Sequence, residues 1–256
     1  MHYKALIFDL DGTAVANEQF AKPTQKVIDA VHRAQKHVKV SAATGRPFYT
    51  ANWVISSLGL TDPVITTAGT QIIDPKTEKI LWQETIPKET VKKLLTFLDT
   101  LPYSTVLGSQ YATFPEKERP KEITQETVIY TGYVAIADTD ALIRKIKSLA
   151  DVSVHAAMGY KPNTYGLHIT SSKASKKHAM HKLTELLDVK KEEIIGVGDS
   201  DNDLPLFEAV GYKIAMGNAT DALKAQADYV APSVDEDGLA EVIEKCILAK
   251  HDAISS

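Results

Sequence analysis

The chain has 256 residues, with 29 Lys and Arg against 33 Asp and Glu, for a net charge of −4. That length admits one large α/β unit or two smaller domains, either of which can fold without disulfides or a structural metal. Mild acidity and 7% aromatic residues argue against a nucleic-acid surface, and no apolar run is long enough to span a membrane.

The N-terminal apolar run is cut by Asp9, too early for a secretory signal. Cys246 is the only cysteine, so no intrachain disulfide can form, and the expected setting is reducing and cytoplasmic. In chain order, the first predicted strand is Ala5-Phe8, followed by a helix over Pro23 to Gln35 that spaces Val27, Ile28, Val31 and Ala34 along one face. Further buried strands are predicted at Val38-Ala43 and Val64-Ile65, and a hairpin with a polar turn over Ile72-Trp82. From there the rhythm changes. A helix over Pro87-Leu101, strand pieces near 103-107, 111-114 and 127-136, a helix near 138-150 and strands near 152-157 and 164-169 form an α+β pattern. A helix over 173-187, a strand at Ile194-Val197, a helix over 201-210, a strand at Ile214-Met216 and a helix over 237-248 restore the alternation, with Asp201 and Asp237 as expected N-caps.

The expected architecture is therefore an α/β protein, a Rossmann-like open parallel sheet built from residues 1-82 and 171-256, with an α+β domain of residues 83-170 inserted into it. The insert is neutral, with ten acidic and ten basic residues, so the core carries the whole −4.

Chemistry-bearing residues gather where apolar strands end. Asp9-Leu10-Asp11-Gly12-Thr13 follows the first strand, and Gly198-Asp199-Ser200-Asp201-Asn202-Asp203 follows the strand at Ile194. Neither is a calcium loop, because the closing carboxylate and central glycine of such a loop fall on Phe20 and Ala14 in the first, and on Val210 and Leu204 in the second. Carboxylates packed this closely beside buried strands raise one another's pKa unless a cation or hydrogen-bond donors compensate, and a divalent cation shared by both corners answers that need. Thr44-Gly45-Arg46, after Val38-Ala43, offers a hydroxyl and backbone N–H groups ahead of a helix to phosphate oxygens. Lys173, Lys176 and Lys177 open a later helix, where one could meet the same phosphate.

Asp9-Leu10-Asp11-Gly12-Thr13, Thr44-Gly45-Arg46, Lys176 and Gly198-Asp199-Ser200-Asp201-Asn202-Asp203, in that order, resemble the four motifs of the haloacid dehalogenase-like hydrolase superfamily. The position of the insert and the Gly217-Asn218-Ala219 segment resemble its Cof-type branch. The resemblance implies a magnesium-dependent phosphatase acting on small phosphomonoesters beneath an α/β cap. It implies that Asp9 is the nucleophile and Asp11 the general acid and base. By the same resemblance, magnesium would be held by Asp9, the carbonyl of Asp11 and Asp199, and the phosphate oxygens would meet Thr44, the N–H groups of Leu10 and Gly45, Lys176 and Asn202, with Asp203 supporting the metal ligands. Lys176 is preferred over its neighbours by its spacing to Ala179 and Met180. Arg46 is either a ligand or a partner for a core carboxylate, and Tyr111, Arg119, His155, Lys161 and Asn163 are candidates for contacting the leaving group. The chain departs from the branch at Ala68-Gly69-Thr70, where Asn-Gly-Ala is usual, and at Lys177, where Gly often stands. A phosphomutase of the same superfamily, a non-catalytic relative and a phospho-receiver are the alternatives; the last leaves the insert unexplained.

Overall fold

The computed structural model describes residues 3–18, 20–108, 113–115, 128–158 and 161–249. The chain opens with β1 (Ala5–Phe8), α1 (Gln25–Ala34), β2 (Lys39–Ala42), α2 (Phe48–Ser57), β3 (Val64–Thr66), β4 (Gln71–Ile73) and β5 (Ile80–Gln83). The insert contributes α3 (Lys88–Leu98), β6 (Ser104–Gly108), β7 (Thr113–Pro115), β8 (Val128–Ala135), α4 (Ile136–Leu149), β9 (Val152–Met158) and β10 (Thr164–Ser171). The chain returns through α5 (Lys176–Leu187), β11 (Ile194–Gly198), α6 (Leu204–Glu208), β12 (Tyr212–Ala215), α7 (Asp221–Lys224), β13 (Tyr229–Val230) and α8 (Gly238–Ile243).

Five strands form a parallel sheet in the order β13-β12-β11-β1-β2. Sequence-distant ends of the chain meet at its centre, where Phe8 faces both Ala42 and Val197. All four residues of β1 are buried, and its alternation divides them between two layers. Leu6 and Phe8 pack with Val27 and Val31 of α1 and Leu239 and Ile243 of α8, while Ala5 and Ile7 pack with Met180 and Leu183 of α5 and Leu206 of α6. A single parallel bridge between Ala43 and Ile65 carries the sheet on to β3, which pairs antiparallel with β4 and then β5. The second large sheet is antiparallel, in the order β7-β6-β8-β10-β9, with a core of its own in which Leu94 and Leu98 of α3 and Leu142 and Ile146 of α4 meet Ile129, Val154, Leu167 and Ile169.

Helix starts follow local chemistry. Thr24 caps α1 by accepting from the N–H of Val27, and Ser175 caps α5 by accepting from that of His178. Of the two expected caps, Asp201 is corrected, while Asp237 does stand at the N-cap position of its helix. Asp201 lies inside a 3-10 turn (Asp201–Asp203) capped by Ser200, and its carboxylate accepts from the Thr220 hydroxyl at 2.6 Å. Asp237 stands before α8 in a left-handed conformation without a side-chain cap bond, and accepts instead from the Thr24 hydroxyl at 2.6 Å. The helix expected over 201-210 breaks into that 3-10 turn and α6, because Asp203 turns its carboxylate back onto the N–H groups of Asp199 and Ser200. Among the described residues no helix is long and apolar enough to cross a membrane.

Candidate active site

The parallel register sets the site. Because Phe8 pairs with Ala42 and Val197, the residues one or two positions further on, Asp9, Thr44 and Asp199, emerge together at the carboxyl edge of the sheet. The N–H of Asp9 extends the ladder to the Val197 carbonyl at 3.0 Å, and the chain then turns sharply at Gly12, whose φ is +74°. Glycine is required there twice over: the left-handed backbone disfavours a side chain, and a Cβ would collide with the Asp199 carboxylate.

Asp9, Asp199 and Asp203 each offer a carboxylate oxygen, and the three oxygens lie within 4.8 Å of one another. Lys176, from the first turn of α5, reaches Asp9 at 3.2 Å and Asp203 at 2.7 Å. These groups are deeply set, with 7% of Asp9, 7% of Lys176 and none of Asp203 exposed. Burial drives the Asp9 carboxyl well above the usual carboxylate range; Lys176 opposes that rise, and Asp203, Asp199 and Asp11 add to it. Asp199 is pushed up to about 7 by burial and then by Asp203 and Asp11, against Lys176. Burial alone would lower Lys176, but the charges of Asp203 and Asp9 outweigh it and hold the ammonium protonated. Asp203 has little left to give a ligand: one oxygen takes Lys176, and the other takes the N–H groups of Asp199 and Ser200 at 3.1 and 3.2 Å.

Asp11 is held differently. Both of its oxygens accept from the Arg46 guanidinium, one from Nε at 2.8 Å and the other from Nη2, and that guanidinium lies 6.0 Å from the centre of the Trp53 ring. Of the two roles open to Arg46, the structure shows the carboxylate partner. Thr44 is fully buried, its N–H bonded to the Ile65 carbonyl and its hydroxyl accepting from the Arg46 N–H at 3.1 Å. Beside it Gly45 faces open space, with no atom within 4 Å of where a Cβ would stand. Lys173 is exposed, and Lys177 is tied to Glu208 at 2.7 Å, which leaves Lys176 as the lysine inside the cluster. Asn202 is exposed on its turn.

Two segments singled out in the sequence take positioning contacts that the motifs alone do not reveal. Asn218 donates to the Gly12 carbonyl at 2.9 Å and accepts from the Val234 N–H at 2.8 Å, fastening the acidic turn to the last part of the chain. The loop with the unusual Ala68-Gly69-Thr70 holds Thr67, Ala68 and Gly69 all at positive φ, and packs Gly69 against the backbone of Ser175 and Lys176 while the Thr67 N–H bonds the Arg46 carbonyl. Asparagine tolerates that conformation better than alanine, which gives a backbone reason for the residue usual at position 68. Of the leaving-group candidates, Tyr111 and Arg119 lie outside the described residues. Lys161 sits 4.0 Å over the Tyr133 ring, Asn163 is exposed at a turn with φ +59°, and His155 is half-buried on β9.

The model of the haloacid dehalogenase-like hydrolase family matches residues 6–150 and 108–243. The chain belongs to that family. It is a phosphoric monoester hydrolase of the Cof-type branch. A phosphatase of 5-amino-6-(5-phospho-D-ribitylamino)uracil from Bacillus subtilis is 28% identical over 96% of each chain. A phosphoglycolate phosphatase from Saccharolobus solfataricus is 35% identical over 48% of this chain, and the match spans about half, 51%, of that relative. Among solved structures, a haloacid dehalogenase-like hydrolase from Bacteroides thetaiotaomicron superposes with a TM-score of 0.80 at 23% identity, covering 95% of this chain and 99% of that one.

Proposed function

We propose that the chain is a magnesium-dependent phosphatase that hydrolyses small phosphomonoesters through an aspartyl-phosphate formed on Asp9, with residues 83-170 closing over the core as a cap. The observation that carries this reading is the convergence of Asp9 and Asp199, nearly two hundred residues apart in sequence, around Lys176.

The donor set suits a hard divalent cation. It offers only oxygen, and the four carboxylates of Asp9, Asp11, Asp199 and Asp203 meet two cations, Lys176 and Arg46, leaving two negative charges uncompensated. Asp9, Asp199 and the Asp11 carbonyl would hold magnesium, which supplies the positive charge that lets a carboxylate approach a phosphate dianion. Asp9 attacks the phosphorus and the ester oxygen leaves. Asp11 protonates that oxygen, then takes a proton from the water that attacks the aspartyl-phosphate. With both oxygens on Arg46, Asp11 is aimed but engaged, and one of the two bonds has to open for each proton transfer. Lys176, the Thr44 hydroxyl, Asn202 and the N–H groups of Leu10 and Gly45 supply donors to the transferring oxygens. Asp203 fixes Lys176 and the Asp199 turn rather than touching the phosphate.

The test is phosphate release from a panel of monoesters with and without magnesium, with Asp9→Asn as the blank. Magnesium-dependent release by the wild type alone is expected. Wild type and blank agreeing across the panel would overturn the reading.

A further inference from the structure

Between β3 and β4 the chain turns through Thr67, Ala68 and Gly69 with φ of 52°, 55° and 87°, three successive left-handed residues of which only the last is glycine. For a β-branched threonine that backbone is a true outlier, and a residue keeps it only where its surroundings over-determine it. Three bonds do so here. The Thr67 hydroxyl donates to the side-chain amide oxygen of Gln71 at 3.2 Å, and the Thr67 carbonyl accepts from the Thr70 N–H at 3.1 Å and from the Thr70 hydroxyl at 2.8 Å. Thr67, Thr70 and Gln71 are all buried, so a broken bond among them leaves a polar group without water to replace its partner.

The outer groups of this turn bear on both cations of the acidic cluster. The Thr67 N–H donates to the Arg46 carbonyl at 2.8 Å, and the Arg46 guanidinium takes both oxygens of Asp11. Gly69 lies flush against the start of α5, where a Cβ would stand 2.5 Å from the Lys176 backbone nitrogen. The Thr70 carbonyl accepts from the Glu84 N–H at 2.8 Å, where the chain leaves β5 for the insert.

We propose that Thr67 and Gln71 are positioning residues for the general acid: the buried bond between them fixes the left-handed turn, the turn fixes the Arg46 backbone, and the Arg46 guanidinium aims Asp11 at the leaving oxygen. The proposal rests on the phosphatase reading and adds to it two residues that touch neither phosphate nor metal. Without the Thr67 hydroxyl bond the turn loses part of what offsets its strain, and as it relaxes it draws the Arg46 carbonyl with it. The paired bonds of a guanidinium to a carboxylate are directional and tolerate little displacement.

The acid matters in proportion to how badly the leaving oxygen needs a proton. An alkoxide needs one as it departs, whereas p-nitrophenolate leaves as the anion. Because kcat/KM covers the steps only as far as ester departure, its ratio between an alkyl ester and p-nitrophenyl phosphate reads the acid; a disturbance at Lys176 or a loss of folded enzyme lowers both values and cancels.

The experiment measures that ratio, using the alkyl monoester that the wild type turns over fastest, in Thr67→Val, Gln71→Met and Thr67→Ser, and repeats Thr67→Val in an Arg46→Gln background. Thr67→Val keeps the shape without the hydroxyl and Gln71→Met removes the acceptor, so either folded variant breaks the same bond. Each is expected to lower the ratio by roughly ten-fold, while Thr67→Ser, which keeps the hydroxyl, retains most of it. In the Arg46→Gln background Thr67→Val should lower the ratio no further, because both changes act through one guanidinium. A ratio unmoved in Thr67→Val and Gln71→Met, or one that falls as far again in the Arg46→Gln background, would overturn the positioning role and leave the phosphatase reading intact. No magnesium-dependent turnover of any ester by the wild type would overturn both.

Discussion

At the carboxyl ends of the parallel strands, four aspartates face a lysine and an arginine, whereas the four longest strands of the antiparallel sheet hold no ionised side chain. The first region is cross-linked by ion pairs between residues distant in sequence, Lys176 with Asp9 and Arg46 with Asp11. The second is ordered by strand register and by rings packed on glycine. The contrast separates two kinds of order. Moving a phosphoryl group needs fixed charge in a desolvated place, which the first region offers and the uncharged strands of the second do not.

The largest effect expected on the charged side is that of Asp9→Asn, which removes the proposed nucleophile and should cut phosphate release by at least about a thousand-fold. Next is Lys176→Met. It leaves Asp203 and Asp9 buried without their cation, and urea unfolding should show a loss of about 3–5 kcal/mol along with loss of turnover. Arg46→Gln releases Asp11 from a pair near the surface. We expect kcat to fall by roughly ten- to a hundred-fold, with a stability change under about 1 kcal/mol, since the pair is partly solvated.

On the uncharged side the effects are smaller and depend on pH. His168 titrates near 6.5 when unfolded and near 4 when folded, brought down by burial and then by His155, so the unfolded chain binds the extra proton between those values. Its contribution to stability is complete above 6.5 and is lost as the pH falls toward 4. Thermal melting between those limits should fall more steeply for the wild type than for His168→Phe, and parallel curves would refute the assigned environment. The smallest effect is Ala68→Asn, which relieves a left-handed alanine and should raise stability by a few tenths of a kcal/mol in urea unfolding.

Much of this arrangement is legible in the sequence where one short segment carries the whole signal. The apolar runs of β1 and β11 and the acidic corners after them can be read because burial on both faces leaves an unbroken hydrophobic stretch ended by carboxylates. The two-residue β13 and four-residue α7 are too short to show a period. The break at Asp201 depends on one carboxylate bonding backwards, which helical spacing does not reveal. The neighbourhood of Tyr130, His168 and His155 on the antiparallel sheet is harder still, because only the pairing of three strands brings residues so far apart in sequence side by side.

Strand β1 lies between β2 and β11, and its partners on the β11 side, beginning with Ile194 opposite Ala5, are translated long after it. During synthesis from the N-terminus, one edge of that strand therefore stays open while the insert's antiparallel sheet, which among the described residues pairs only within itself, emerges and can close on itself. The antiparallel sheet is in this sense older than the acidic cluster in the life of every molecule, and a ribosome stalled before Ile194 would hold it finished beside a β1 still open along one edge.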